Sequence, residues 1–387
     1  MSHRRLLTPG PTPVPPPALR RASEQPLYHR SAEFRSVLRR AGDGLRDVFR
    51  TAHPVCILTC SGTGAMESLF VSMFSPGETI VTVNAGKFGE RWVTMPRALG
   101  LDVVEVAIPW GDAPDAATLG AALDATPGAR AVVLTYCETS TGTMLDLPAL
   151  TRTVRERSGA LVCVDGVSAI GGLEFRMDEW GVDAAVSASQ KGFMIPPGLG
   201  FVALGPRAQD AIVRARTPRF YLDLGRALRA LESGDTPWTP ASTLIAALEE
   251  SLDLMRAEGM EAVWARHRKV AAATRAGLRA LGLRLFSSYP SDTVTAALLP
   301  AGISWADLNR MLLADGIVVA GGQGAYAGKL IRISNLGFVS PDDVRAALVS
   351  LEKALTTCGV PVQPGAALAA FDGAPGGPSI HSGGPDR

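Results

Sequence analysis

Residues 183–205 read "DAAVSASQKGFMIPPGLGFVALG". The opening half is small and apolar, the composition of a buried strand. One lysine follows, then the stiff pair Pro196–Pro197 and a second apolar strand spaced by glycines, "GLGFVALG". Lys191 is the only charged residue between Asp183 and Arg207. An ammonium group in dry surroundings is disfavoured, so its pKa falls toward the neutral amine that attacks a carbonyl. The competing reading is a surface lysine at a strand end, which is where most lysines sit.

Outward from this stretch, short Val- and Ile-rich runs alternate with helical patterns. "PVCILTC" precedes "AMESLFVSMF", "ETIVTVN" precedes "FGERWVTMPRALG", and "RAVVLTY" precedes "LPALTRTVRERSG". Strand followed by helix, repeated, predicts an α/β fold with a mainly parallel sheet covered by helices on both faces. The proline-rich start is expected to be an extended arm. The expected domains are an arm at 1–20, a large domain at 21–258, a smaller C-terminal α/β domain at 259–357 and a flexible Gly/Pro/Ser-rich tail at 358–387. In the smaller unit "TVTAALLP", "GIVVAG" and "KLIRISN" read as strands.

The chain has 387 residues, of which 47% are hydrophobic and 19% charged, a globular composition. Its 38 basic and 37 acidic residues leave a net charge of +1, which argues against a nucleic-acid surface. The first residues turn to proline instead of continuing as an apolar signal segment, and no apolar run is long enough to span a membrane. Five cysteines without a paired CxxC spacing read as reduced thiols and suggest no zinc site. The expectation is a cytoplasmic protein without a metal centre.

Ligands of open α/β sheets bind beyond the carboxyl ends of the strands, so the loops leaving the predicted strands are where the chemistry is expected. "CSGTGAMES", residues 60–68, places Ser61, Gly62 and Thr63 at a helix start, where backbone N–H groups and the helix dipole favour an anion. It lacks the P-loop lysine, and a plain strand–helix turn fits it as well. Asp165 ends the apolar strand of "ALVCVDGVSAIGG". Such a carboxylate serves either as a loop cap or as the partner of a protonated ring nitrogen. An anion cradle, a strand-end carboxylate and a desolvated lysine are together the parts that a pyridoxal phosphate enzyme needs.

With those residues in place, the sequence resembles the class V, fold type I, pyridoxal phosphate aminotransferases, in particular the alanine–glyoxylate and serine–glyoxylate group. The landmarks run in family order over residues 5 to 355: "LLTPGPTPVP", "HRSAEF", "SGTGAMES", "GKFGERW", "ETSTGTMLDL", "VDGVSAIGG", "SASQKGFMIPPGLGF", "PRFYLDL", "TPWTPAS" and "IRISNLGF". That group includes proteins labelled soluble hydrogenase small subunit, a chemistry for which this chain shows no metal-ligand pattern.

The resemblance implies a seven-stranded large-domain sheet, a homodimer with the active site at the subunit interface, and pyridoxal 5'-phosphate carried as an imine on Lys191. It implies that Asp165 pairs with the pyridine nitrogen, that Val167 and Phe88 cover the two ring faces, and that Ser140 lies near the ring hydroxyl. Ser61, Gly62, Thr63 and Gln190 would hold the phosphate, with Thr236 and Thr239 reaching the phosphate of a neighbouring subunit. Arg332 would clamp the substrate carboxylate, Ser140 would border the substrate, and Gly10 would line the pocket edge. The implied reaction moves an amino group from alanine or serine to glyoxylate or pyruvate.

Three positions depart from the family pattern: Tyr136, Cys137 and Asn335. They keep open an alternative, a biosynthetic enzyme of the same fold acting on an unusual amino acid or amine. A cysteine desulfurase fits less well, because "AGGQGAYAGK" holds no nucleophilic cysteine and Phe88 stands where a histidine is usual. A non-catalytic subunit fits poorly with intact Lys191, Asp165 and Arg332.

Overall fold

Seven apolar runs pair into one sheet: β1 (Val55–Thr59), β2 (Thr79–Asn84), β3 (Asp102–Ala107), β4 (Ala131–Thr135), β5 (Leu161–Asp165), β6 (Ala184–Ala188) and β7 (Leu199–Leu204). They are drawn from a computed structural model that describes residues 4–375. The spatial order is β1-β7-β6-β5-β4-β2-β3, all parallel except β7, which runs antiparallel to both its neighbours.

Helices cover both faces, so β4 to β7 are buried throughout and contain only small or apolar side chains apart from a few hydroxyls and the terminal Asp165. Alternate residues feed opposite cores. Val132, Leu134, Val162 and Val164 join one hydrophobic cluster, while Ala131, Val133, Leu161 and Cys163 join the other. The edge strand β3 is largely exposed and carries Asp102 and Glu105, charges that discourage further strand pairing.

A third cluster, including Leu278, Leu308, Ile331 and Leu348, forms the core of the smaller unit. Its sheet pairs β8 (Val294–Leu298), β9 (Ala320–Gly321) and β10 (Leu330–Ser334) antiparallel in the order β8-β10-β9. The run "GIVVAG" divides in two. Ile317–Val318 pairs in parallel with Arg5–Leu6 of the N-terminal arm, and Ala320–Gly321 forms β9. The arm thus lies on the smaller unit and buries Leu7 in its core. Pro16 and Pro17 open a short helix, Pro16–Ala22, because proline suits the first helical positions.

The long helical region of the sequence is two helices broken at Gly259, whose φ is +84°. The expectation of a flexible tail from residue 358 is corrected over its first half. Residues Ala366–Asp372 form a helix whose Ala367 and Phe371 are fully buried against helix Met260–Ala280. Arg345 lies 5.3 Å over the Phe371 ring and pairs with Asp372 at 2.8 Å. The flanking glycines and prolines hid a seven-residue helix too short to show a period. Residues 376–387 of the expected tail and 1–3 of the expected arm lie outside the described residues. Among the described residues no helix is long and apolar enough to cross a membrane.

Phe371→Ala is expected to destabilise the protein by about 3 kcal/mol, the usual cost of emptying a buried phenylalanine site. Urea titration of the full chain checks it; an unchanged midpoint would mean the segment does not pack.

Candidate active site

The parallel strands end at one edge of the sheet, and their loops converge there on a cavity of about 250 Å³. Nine of the residues that the resemblance assigns to the site line it. The arm brings Gly10, the helix start after β1 brings Ser61, Gly62 and Thr63, and the helix start after β2 brings Phe88. The end of β5 supplies Asp165 and Val167, and the loop after β6 supplies Gln190 and Lys191.

Lys191 is 8% exposed and its Nζ donates to the Pro9 carbonyl of the arm. No carboxylate lies within ion-pair distance of it among the described residues. Asp183, its nearest acidic neighbour in sequence, caps the other end of β6, where Arg155 Nη2 approaches to 2.8 Å and the Val162 N–H donates at 2.7 Å. Burial therefore dominates and pulls the Lys191 amine down to about 8. Gly10, at φ +114°, is fixed by this contact: a Cβ there would come within 2.6 Å of the Lys191 side chain. Thr12 Oγ1 completes the seam by donating to the Lys191 carbonyl at 2.9 Å.

Asp165 is buried, and desolvation raises its pKa against the pull of two hydrogen bonds. Its Oδ1 accepts from the Val167 N–H at 2.9 Å and its Oδ2 from the Trp92 indole at 2.6 Å. Trp92 went unassigned in the sequence, although it stands four residues after Phe88 and thus on the same helix face. That helix, Lys87–Ala98, begins at Gly86, which has no side chain to cap it. Glu138 does so from 50 residues away, with Oε2 accepting from the N–H groups of Phe88 at 3.0 Å and Gly89 at 2.9 Å. A Cβ on Gly86 would lie 2.6 Å from the Glu138 side chain, so only glycine admits this approach. No sequence period announces such a long-range cap.

Ser140 does not line the cavity. Its Oγ donates to Glu138 Oε1 at 2.5 Å and accepts from the Lys87 N–H at 3.0 Å, fixing the Glu138 cap. Thr139 takes the wall position instead and donates to Ser168 Oγ at 2.6 Å.

At the cradle, the helix Gly62–Met73 starts on the cavity wall, which Ser61, Gly62 and Thr63 line, and Ser61 Oγ accepts from the Gly64 N–H at 3.3 Å. A Cβ on Gly62 would lie 2.9 Å from Val167. The buried Gln190 Oε1 has no hydrogen-bond partner. Such an orphan is costly and implies a donor that the protein does not supply.

Arg332, in the central strand of the smaller sheet, is 5% exposed and stands behind the wall rather than on it. Nε donates to the Gly321 carbonyl and Nη1 to the Thr139 carbonyl, both at 2.8 Å. No carboxylate lies within ion-pair distance of this guanidinium among the described residues. Burial lowers its pKa to about 10, while nearby Glu138 opposes the shift.

Thr236 and Thr239 do not reach the cavity of their own chain. Thr236 Oγ1 donates to the Trp238 carbonyl at 2.8 Å, and Thr239 is exposed. Of the three departures, only Cys137 lines the cavity, its Sγ bonded to Ser291 Oγ at 3.2 Å. Tyr136 turns into the core beside Phe175 and Trp180, donating to the Glu174 carbonyl at 2.8 Å. Asn335 is buried between the His267 and Asp292 carbonyls, away from the cavity. No group of three or more His, Cys, Asp or Glu among the described residues is placed to hold a metal ion.

The family model for class-V aminotransferases matches residues 6–348. A Synechococcus sp. (strain PCC 6716) protein named "Soluble hydrogenase, small subunit" is 40% identical, covering 94% of this chain and 96% of that one. The L-aspartate–glyoxylate aminotransferase of Paracoccus denitrificans (strain Pd 1222) is 37% identical, covering 95% of each chain. The crystal structure of an alanine–glyoxylate aminotransferase from Nostoc sp. superposes with a TM-score of 0.88 at 32% identity, covering 92% of this chain and 96% of that one. The chain belongs to the class-V aminotransferases, enzymes that depend on pyridoxal 5'-phosphate. The cavity fits that cofactor: it joins an amine free of any carboxylate partner, Phe88 and Val167 on its walls, the Asp165 carboxylate and the Ser61–Thr63 helix start.

In cofactor-free protein, acylation of Lys191 is expected to rise with pH around a midpoint near 8, because the neutral amine predominates above its lowered pKa. Peptide mass spectrometry of pulse-labelled samples checks this; a midpoint at the ordinary lysine value near 10.5 would contradict the buried site.

Proposed function

We propose that this aminotransferase moves an amino group from alanine or serine to glyoxylate or pyruvate in two half-reactions. The carrying observation is the lone, buried Lys191 amine, set in one cavity with Asp165 and the Ser61–Thr63 cradle. Glyoxylate as acceptor is supported by its presence in the names of both aminotransferase relatives above.

When bound, pyridoxal phosphate supplies the electron sink that makes the substrate Cα–H acidic. Lys191 Nζ takes that proton and returns it, a task suited to a base with a pKa near the working pH. Asp165, aligned by Trp92 and the Val167 N–H, holds a proton on the ring nitrogen. Phe88 and Val167 confine the ring, while Ser61, Gly62, Thr63 and Gln190 hold the phosphate. Arg332, one layer behind Thr139, holds the substrate carboxylate with the guanidinium N–H groups that the Gly321 and Thr139 carbonyls leave free, its charge having no acidic partner among the described residues.

In this reading a second copy of the chain completes the site. Thr236 and Thr239, which their own cavity does not use, meet the phosphate of the other subunit. Five free thiols support the cytoplasm as its compartment. The alternative of an unusual amino substrate draws its support from Cys137, the one departure that reaches the cavity wall.

A stopped-flow absorbance screen of amino donors is expected to show alanine or serine converting the bound cofactor fastest, with 2-aminoethylphosphonate inert. Faster turnover of a non-carboxylate amine would favour the alternative. Arg332→Ala is expected to raise KM for carboxylate donors by about tenfold or more, the weight of a lost charged hydrogen-bond pair. An unchanged KM would remove Arg332 from the substrate site.

A further inference from the structure

Arg91 stands on the cavity-facing side of helix Lys87–Ala98, between Phe88 and Trp92, and lines the same wall. Its Nη1 donates to Thr63 Oγ1 at 2.9 Å, and its guanidinium carbon lies 5.0 Å from the centre of the Phe88 ring. Among the described residues no carboxylate lies within ion-pair distance of it. Lys87, one turn away on the same helix, is by contrast paired with Glu90 at 2.6 Å. A half-buried cation with uncompensated charge therefore borders the Ser61–Thr63 cradle.

The direction of the Thr63 bond has a chemical consequence. A threonine hydroxyl has one proton and two acceptor lone pairs, and a guanidinium only donates. By occupying a lone pair of Thr63 Oγ1, Arg91 leaves the hydroxyl proton to be given to another acceptor. Thr63 Oγ1 donates to no protein group among the described residues. Ser61 Oγ is placed alike, accepting from the Gly64 N–H with its own proton unspent. Stacking on Phe88 limits the positions from which Arg91 makes this bond.

We infer that Arg91 is a positioning residue for the cofactor phosphate, acting through Thr63: it turns the Thr63 hydroxyl into a directed donor and adds positive charge to the cradle. The inference rests on the family's cofactor occupying this cavity. Arg91 touches the phosphate site through another side chain and takes no part in proton transfer at the substrate.

The test titrates cofactor-stripped protein with pyridoxal phosphate and, separately, with pyridoxal, which lacks the phosphate, following absorbance. Arg91→Gln is expected to weaken pyridoxal phosphate binding about tenfold or more and to leave pyridoxal binding unchanged. Arg91→Lys, which keeps the charge and loses the planar fork, is expected to show a smaller loss for pyridoxal phosphate and again none for pyridoxal, and it carries the comparison should the glutamine variant not fold. In a Thr63→Val background the Arg91→Gln loss is expected to shrink, since the hydroxyl it aims is gone. Equal losses for both ligands, an undiminished loss in the double variant, or no loss at all would overturn the inference. Wild-type protein that binds neither ligand would instead overturn the cofactor reading on which it rests.

Discussion

The structure is organised around keeping one amine dry without giving it a counterion. A lysine in the apolar interior ordinarily finds a carboxylate or escapes to water. At Lys191 both routes are closed. Asp183 is engaged by arginines at the far end of β6, and the arm lies across the amine with Pro9 and Gly10. The arm is in turn held by the smaller unit, where Arg5–Leu6 pairs with Ile317–Val318 and Leu7 enters the core. The lid over the lysine is thus a product of the whole chain, not of its own loop, and a large domain without the arm would leave the amine open to water.

The other cavity residues follow from the same geometry. A parallel sheet gathers its strand ends on one side, which brings the helix start at Ser61 together with a carboxylate and a lysine loop that lie more than a hundred residues further along the chain. Each then receives support from outside its own loop. Trp92 aligns Asp165, Glu138 caps the helix that carries Phe88, and Ser140 secures Glu138. These supports bury polar groups that are fully bonded, the arrangement under which such groups stiffen a site instead of weakening it.

The fold class was legible because buried parallel strands leave unbroken Val- and Ile-rich runs, and Lys191 was legible because its apolar company is local in sequence. Asp165 stood out for the same reason, as a charge ending an apolar run. The supports were not legible. Glu138 and the helix start it caps are 50 residues apart, and nothing in either segment names the other. Ser140, which the resemblance puts near the ring hydroxyl, does not line the cavity and bonds Glu138 and the Lys87 N–H, while neighbouring Thr139 faces the cavity. Tyr136 and Asn335 looked like pocket changes because they adjoin site motifs; their side chains turn into the core, and Cys137 alone reaches the wall. The tail misled through composition, since glycines and prolines outweigh the single Phe371 that docks it.

Reduction of the holoenzyme with borohydride, followed by peptide mass mapping, tests the central claim most directly. The account predicts one pyridoxyl phosphate group per chain, fixed on the peptide carrying Lys191. A label on Lys87 or another exposed lysine, or a protein that retains no cofactor, would contradict it.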